Sequence, residues 1–109
     1  MNFTEIAMVY IPCPHETGAK ELTQKLMSEK LIVCGNIHTG GHSIFPWEGQ
    51  IVTEPECYLI CKTMPELAEK VAEKAIEYHP YDLPGIIFWN TKANAPYAAW
   101  VKKHTVDAR

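Results

Sequence analysis

Apolar and polar residues alternate from Glu5 to Ile11, with Ile, Val, Met and Tyr among them, and this predicts a first strand that Pro12-Cys13-Pro14 stops. The period then changes. From His15 to Lys30, Ala19, Leu22, Leu26 and Met27 recur near helical spacing while Lys20, Glu21, Lys25 and Glu29 fall elsewhere, which predicts an amphipathic helix with a weakly capped start. Leu31 to His38 is β-branched and apolar, a second strand, and Gly40-Gly41 loosens the chain before Ser43–Trp47. Glu48-Gly49 is a turn pair, and Gln50 to Lys62 has strand composition, so a β-hairpin spans these residues.

Thr63-Met64-Pro65-Glu66 has the Thr-x-x-Glu form of a capping box, with proline in the first turn, where its missing N–H is harmless. A second helix is predicted from Pro65 to Tyr78, with Leu67, Val71, Ala75 and Tyr78 as its apolar stripe. His79-Pro80 ends it. Gly85 to Asn90 reads as a buried strand, and Asn94 as the N-cap of a last helix, Ala95 to Lys103, with Trp100 turned inward. The order is βαββαβ plus a terminal helix. Two βα units around a hairpin define the α+β, ferredoxin-like arrangement, a four-stranded antiparallel sheet with both main helices on one face.

The hairpin is long for its host. Arms of about nine residues would reach roughly 30 Å, against a radius of gyration of about 13 Å for a domain of about 100 residues. Its far end carries Phe45, Trp47, Ile51 and Val52, with prolines at 46 and 55. A bare apolar edge invites aggregation, so a sister chain that accepts it by strand addition is the economical expectation. A homo-oligomer follows.

Composition narrows the rest. With 109 residues, 47% hydrophobic, 21% charged and a net charge of −3, residues 1–109 are expected to form one globular domain. No apolar run approaches a membrane span, and Met1 to Glu5 lacks the features of a secretory signal, so a cytoplasmic protein without membrane association is expected. The four cysteines, Cys13, Cys34, Cys57 and Cys61, lack the spacing of a disulfide scaffold and read as free thiols. Arg109 is the sole arginine. Without a guanidinium fork in the folded body, and with scattered lysines, specific nucleic-acid binding is disfavoured.

Candidate chemistry is sparse. Cys57 and Cys61 share a strand face but lie about 13 Å apart, too far for one metal. Cys13, between two prolines, is either a soft ligand for copper or a packed thiol. His38 and His42 bracket an apparent loop, a weak metal signal beside the simpler reading of solvated histidines. His79 stands in Tyr78-His79-Pro80-Tyr81-Asp82-Leu83-Pro84, where two prolines stiffen a loop carrying imidazole, phenol and carboxylate. A pre-organised site and a helix C-cap, with the imidazole on the last carbonyls, are equally good readings. Trp47-Glu48-Gly49 at the hairpin tip is either a plain turn or part of a cleft on a neighbouring chain. Lys62-Thr63 lies beside a helix N-terminus, a common anion-friendly combination. No Gly-x-Ser-x-Gly, His-Glu-x-x-His or phosphate loop is present, so an enzyme is not expected.

Ser43-Ile44-Phe45-Pro46-Trp47-Glu48-Gly49-Gln50-Ile51, Lys62-Thr63, His79-Pro80-Tyr81-Asp82-Leu83-Pro84 and Tyr97-Ala98-Ala99-Trp100, in this order, closely resemble the CutA divalent-cation tolerance proteins. The resemblance implies a homotrimer with exchanged hairpins, similar to the PII signalling trimers, and clefts between subunits. It implies a role in tolerance of copper or other divalent cations; in this chain the candidate metal ligands are His79 first and Cys13 second. Trp47, Glu48, Lys62, Tyr81 and Asp82 would line a cleft for a metal or a small anionic ligand. Ile11 and Gly85 stand where relatives proposed to bind copper carry cysteine and glutamate, and Phe45 where tyrosine is usual. The alternative is a PII-like signalling or scaffold trimer that acts through protein partners without a metal site.

Overall fold

The computed structural model describes residues 2–106, so Arg109 lies outside the described residues. Its elements are β1 (Phe3–Cys13), α1 (Glu16–Ser28), β2 (Cys34–Trp47), β3 (Gln50–Thr63), a short 3₁₀ turn (Pro65–Leu67), α2 (Ala68–Tyr78), β4 (Ile87–Asn94) and α3 (Ala95–Lys103). The strands form one sheet in the order β2-β3-β1-β4, and β2–β3, β3–β1 and β1–β4 are all antiparallel. This is the split βαβ topology that the order of elements predicts.

Period 2 decides what each face of the sheet does. Val9, Ile11 and Cys13 of β1 and Leu59 and Cys61 of β3 point to the side where Ala19, Leu22 and Leu26 of α1 meet Val71 and Ala75 of α2. These side chains form the main core. On the opposite face Ile6 packs with Ala98 and Val101 of α3, beside Val33, Met64, Ala93 and Tyr97. Beyond α3 that face carries no helix, and there Tyr10 stacks on Tyr58 with ring centroids 5.9 Å apart.

Several local expectations change. Gly40-Gly41 does not separate two strands; β2 runs through it, with a register shift between His38 and Gly41 that admits one extra residue as a bulge. Gly40 takes φ +79 there, a conformation that costs glycine little. His38 and His42 therefore lie on a strand, opposite Tyr58 and Pro55, and not in a loop. Thr63 makes no capping box, because its buried hydroxyl donates to the Leu31 carbonyl at 2.6 Å. Asn94 precedes α3 without a side-chain cap bond. Trp100 faces outward, 44% exposed, against Tyr97 and His104, and Val101 is the buried residue instead. The start of α1 is capped by an unanticipated acceptor, His15 Nδ1, which receives the Gly18 N–H at 3.0 Å.

The hairpin overhangs its body. Pairing between β1 and β3 ends at Cys13 opposite Cys57, so residues 41–47 and 50–56 pair only with each other. Seven residues at about 3.3 Å each carry the tip roughly 23 Å past the last rung. The molecule measures 47 × 28 × 21 Å.

Candidate functional site

A two-residue turn sets the geometry here. Glu48 and Gly49 both take positive φ, 49 and 79, as a type I′ turn requires. That places Trp47 opposite Gln50, Ser43 opposite Glu54 and Gly41 opposite Glu56. Ser43 and Glu56 are thus diagonal neighbours on one face. Across from them runs the loop that follows α2. Hairpin and loop enclose a groove of about 850 Å³, with Trp47, Glu54, Glu56, Tyr81 and Asp82 in its wall.

Glu56 is the organising residue. Only 8% exposed, its carboxylate takes the Ser43 hydroxyl on one oxygen and the Tyr81 hydroxyl, at 2.9 Å, on the other. Burial first, and then the bond to Glu56 and its charge, push the Tyr81 phenol well above its ordinary value, so it stays a donor. A buried carboxylate needs such partners, because an unpaired one would be costly.

His79 holds the same loop from behind. Its Nε2 lies 2.5 Å from the Pro12 carbonyl, and its Nδ1 accepts the Tyr81 N–H at 3.1 Å. A carbonyl on one side and an N–H on the other require the neutral ring with the proton on Nε2. The ring also packs against Tyr81 at 4.6 Å between centroids. The cap reading does not hold as stated: His79 occupies the C-cap position of α2, where its backbone N–H bonds the Ile76 carbonyl, but the imidazole turns away from the helix carbonyls and accepts the Tyr81 N–H.

The expected cleft residues divide. Trp47, Tyr81 and Asp82 come together in the groove wall, whereas Glu48 sits in the exposed turn and Lys62 lies six positions beyond Glu56 along β3, about 20 Å away. There the Lys62 ammonium lies over the Tyr97 ring, 5.7 Å from its centroid. Among the described residues no lysine, arginine or histidine lines the groove, so its charged side chains are the carboxylates Glu54, Glu56 and Asp82. Glu56 and Ser43 were not anticipated from sequence. Counting back from the Glu48-Gly49 turn, which sets Ser43 opposite Glu54 and Gly41 opposite Glu56, is the signal that would have made them diagonal neighbours.

His79 and Cys13 share a smaller cleft of about 250 Å³ with His15, Glu21 and Lys25. They do not suit a resident copper ion as folded here. Both ring nitrogens of His79 are engaged, and Cys13 Sγ contacts the Ile11 carbonyl at 3.6 Å. Burial, with Cys57 and Glu56 adding to it, pushes the Cys13 thiol up to about 11, whereas a metal needs the thiolate. Among the described residues no group of three or more His, Cys, Asp or Glu is arranged to hold a metal ion.

Topology and site together define a small α+β protein in which Ser43, Glu56, His79 and Tyr81 converge at the root of an overhanging hairpin. The family model "CutA1 divalent ion tolerance protein" matches residues 7–104, and the chain belongs to this family. It is 36% identical over 102 residues to rice "Protein CutA 1, chloroplastic", a match covering 93% of this chain and 58% of that one. With the "Divalent-cation tolerance protein CutA" of Thermus thermophilus it shares 32% identity over 99 residues, covering 90% of this chain and 96% of the relative. The crystal structure of CutA1 from Oryza sativa superposes with a TM-score of 0.90 at 34% identity, covering 95% of this chain and 96% of that one. The chain spans a little over half the length of the plant relatives it matches.

Proposed function

We propose that the chain acts as a homotrimer in the tolerance of divalent cations, by binding and not by catalysis, at clefts completed where the hairpin of one copy meets the next. The observation that carries this reading is the overhang: residues 41–47 and 50–56 pair, as strands, only with each other among the described residues, yet expose Ile44 at 70% and Ile51 at 73%. Apolar side chains on a projecting ribbon are stabilised by a receiving surface, and a sister copy supplies one without a second gene product. The number three comes from the family resemblance.

Of the metal and the small anionic ligand expected, the carboxylates of the groove support the cation. Glu54, Glu56 and Asp82 face the groove, and hard carboxylate oxygens suit hard divalent cations better than copper in its softer state. Among the described residues one chain does not bring three such donors together for a single ion, so in this reading the cation site takes its remaining donors from a neighbouring copy. His79 acts by fixing Tyr81, and Cys13 by packing beneath it. The proposed compartment is the cytosol, although the rice relative is named chloroplastic; no described helix is long and apolar enough to cross a membrane.

Calorimetric titration of the assembled protein with Cu²⁺ and with Zn²⁺ tests the reading. Saturable heat is expected, weakened about tenfold or more, ~1.4 kcal/mol, in Glu56→Gln. An absence of saturable heat with either ion, or an unchanged affinity in both Glu56→Gln and His79→Ala, would refute a cation site at this groove.

A further inference from the structure

Cys13 and Cys57 are register partners, the final rung of the β1–β3 ladder before the hairpin leaves the body. Both side chains lie on the helix-facing side of the sheet, Cys13 at 2% and Cys57 at 7% exposure. Directly opposed residues in an antiparallel pair have Cα atoms about 4.5–5.5 Å apart, within the roughly 4.4–6.8 Å a disulfide spans. Their Cβ atoms, at about 4.5–5.5 Å, must draw together to reach the ~3.5–4.5 Å of the bonded state. The two ranges meet at about 4.5 Å, so a small approach of the strands suffices to form the link.

Access differs between the two. Cys13 lines the cleft of about 250 Å³ between α1 and the end of α2, open to a small oxidant, whereas Cys57 does not line it. Neither Cys34 nor Cys61 has a cysteine directly opposite: Cys34 faces Lys62, and Cys61 faces Val9 on one side and Gly35 on the other.

We propose that Cys13 and Cys57 form a reversible dithiol–disulfide pair, oxidised by hydroperoxides, which locks the root of the hairpin to β1. The Cys13 thiolate attacks one oxygen of hydrogen peroxide. The O–O bond breaks, Cys13 becomes a sulfenic acid, and the departing hydroxide takes up a proton to leave as water. The Cys57 sulfur then attacks the sulfenic sulfur, forming the S–S bond and releasing a second water. Two thiols and one peroxide yield one disulfide and two waters, with two electrons passing from sulfur to oxygen.

The lock sits beside the groove. Cys57 follows Glu56, and Cys13 follows Pro12, whose carbonyl bonds His79, so the link would stiffen both anchors of the Tyr81 loop. The pair lies on the helix-facing side of the sheet, and the inference stands whether or not the hairpin docks on sister copies.

The test treats the reduced, full-length protein with hydrogen peroxide, blocks remaining thiols with an alkylating agent under denaturing conditions, and reads the intact mass and the cross-linked peptides. Two alkylated thiols instead of four are expected, with the link assigned to Cys13 and Cys57 by fragmentation between Cys57 and Cys61, and full reversal by dithiothreitol. Cys13→Ser and Cys57→Ser should each abolish the intramolecular link, while Cys34→Ser retains it. Because the assignment in the unsubstituted protein needs no variant to fold, it decides the matter alone. Four free thiols after treatment that oxidises free cysteine, a link between any other pair, or only irreversible over-oxidation would overturn the proposal.

Discussion

The Tyr81 hydroxyl donates to Glu56 Oε2 at 2.9 Å across 25 positions of sequence, and through this bond the loop after α2 is fastened to the root of the hairpin. Glu56 completes its shell with Ser43, while His79 secures the Tyr81 backbone, so four residues from three segments share one small network. A bond to an ionised, buried acceptor is worth more than an ordinary one. Tyr81→Phe is expected to lower stability by about 2 kcal/mol in urea unfolding. Addition of Glu56→Gln to that variant should cost less than Glu56→Gln alone, since the two groups act together.

Glu48 occupies a left-handed turn position that asparagine or glycine fills more readily. Glu48→Asn should raise stability by about 0.5–1 kcal/mol, measured by the same unfolding curves, and should leave cation titration unchanged. A loss of titration heat would return Glu48 to the binding surface.

Gly41 sits where β2 approaches Tyr58, and a Cβ there would overlap the Tyr58 ring. The ring cannot yield freely, because it stacks on Tyr10 and its hydroxyl donates to the His42 carbonyl at 3.1 Å. Gly41→Ala is expected to destabilise by roughly 1–3 kcal/mol. A near-ultraviolet circular dichroism change from displaced tyrosines should accompany it.

Alkaline pH should weaken the fold through its buried thiols. Burial is the main cause that raises Cys13 to about 11 and Cys61 to about 12 from 9.0. Groups raised in the folded state favour it fully below their unfolded value; above that the unfolded chain ionises first. Stability is therefore expected to hold up to about pH 9 and to fall as pH climbs through 11 toward 12. Urea midpoints across this range check the sign, and Cys61→Ala should show a shallower fall.

Much of the fold was readable because it rests on period. The alternation from Glu5 to Ile11 and the stripe of Leu67, Val71 and Ala75 each have one physical solution, a half-buried strand and a helix on a core. Features that depend on a competing partner were not. Thr63 has the spacing of a cap, but the Leu31 carbonyl takes its hydroxyl, and Trp100 gives way to the smaller Val101 against Ile6. At the groove, Trp47, Tyr81 and Asp82 were recognisable as aromatic and acidic residues near turns. Glu56 was hidden because a charged residue in a strand reads as solvent-facing; the hairpin register brings Ser43 to it, and the loop after α2, folded back against the hairpin, brings Tyr81.

The dependence of the groove on neighbouring copies is most directly examined by sedimentation equilibrium of the untagged protein at micromolar concentration. The expected result is one species of three times the 12.3 kDa chain mass. It should dissociate when Ile44 and Ile51 are both replaced by lysine. A stable, well-folded species of a single chain's mass under the same conditions would contradict it.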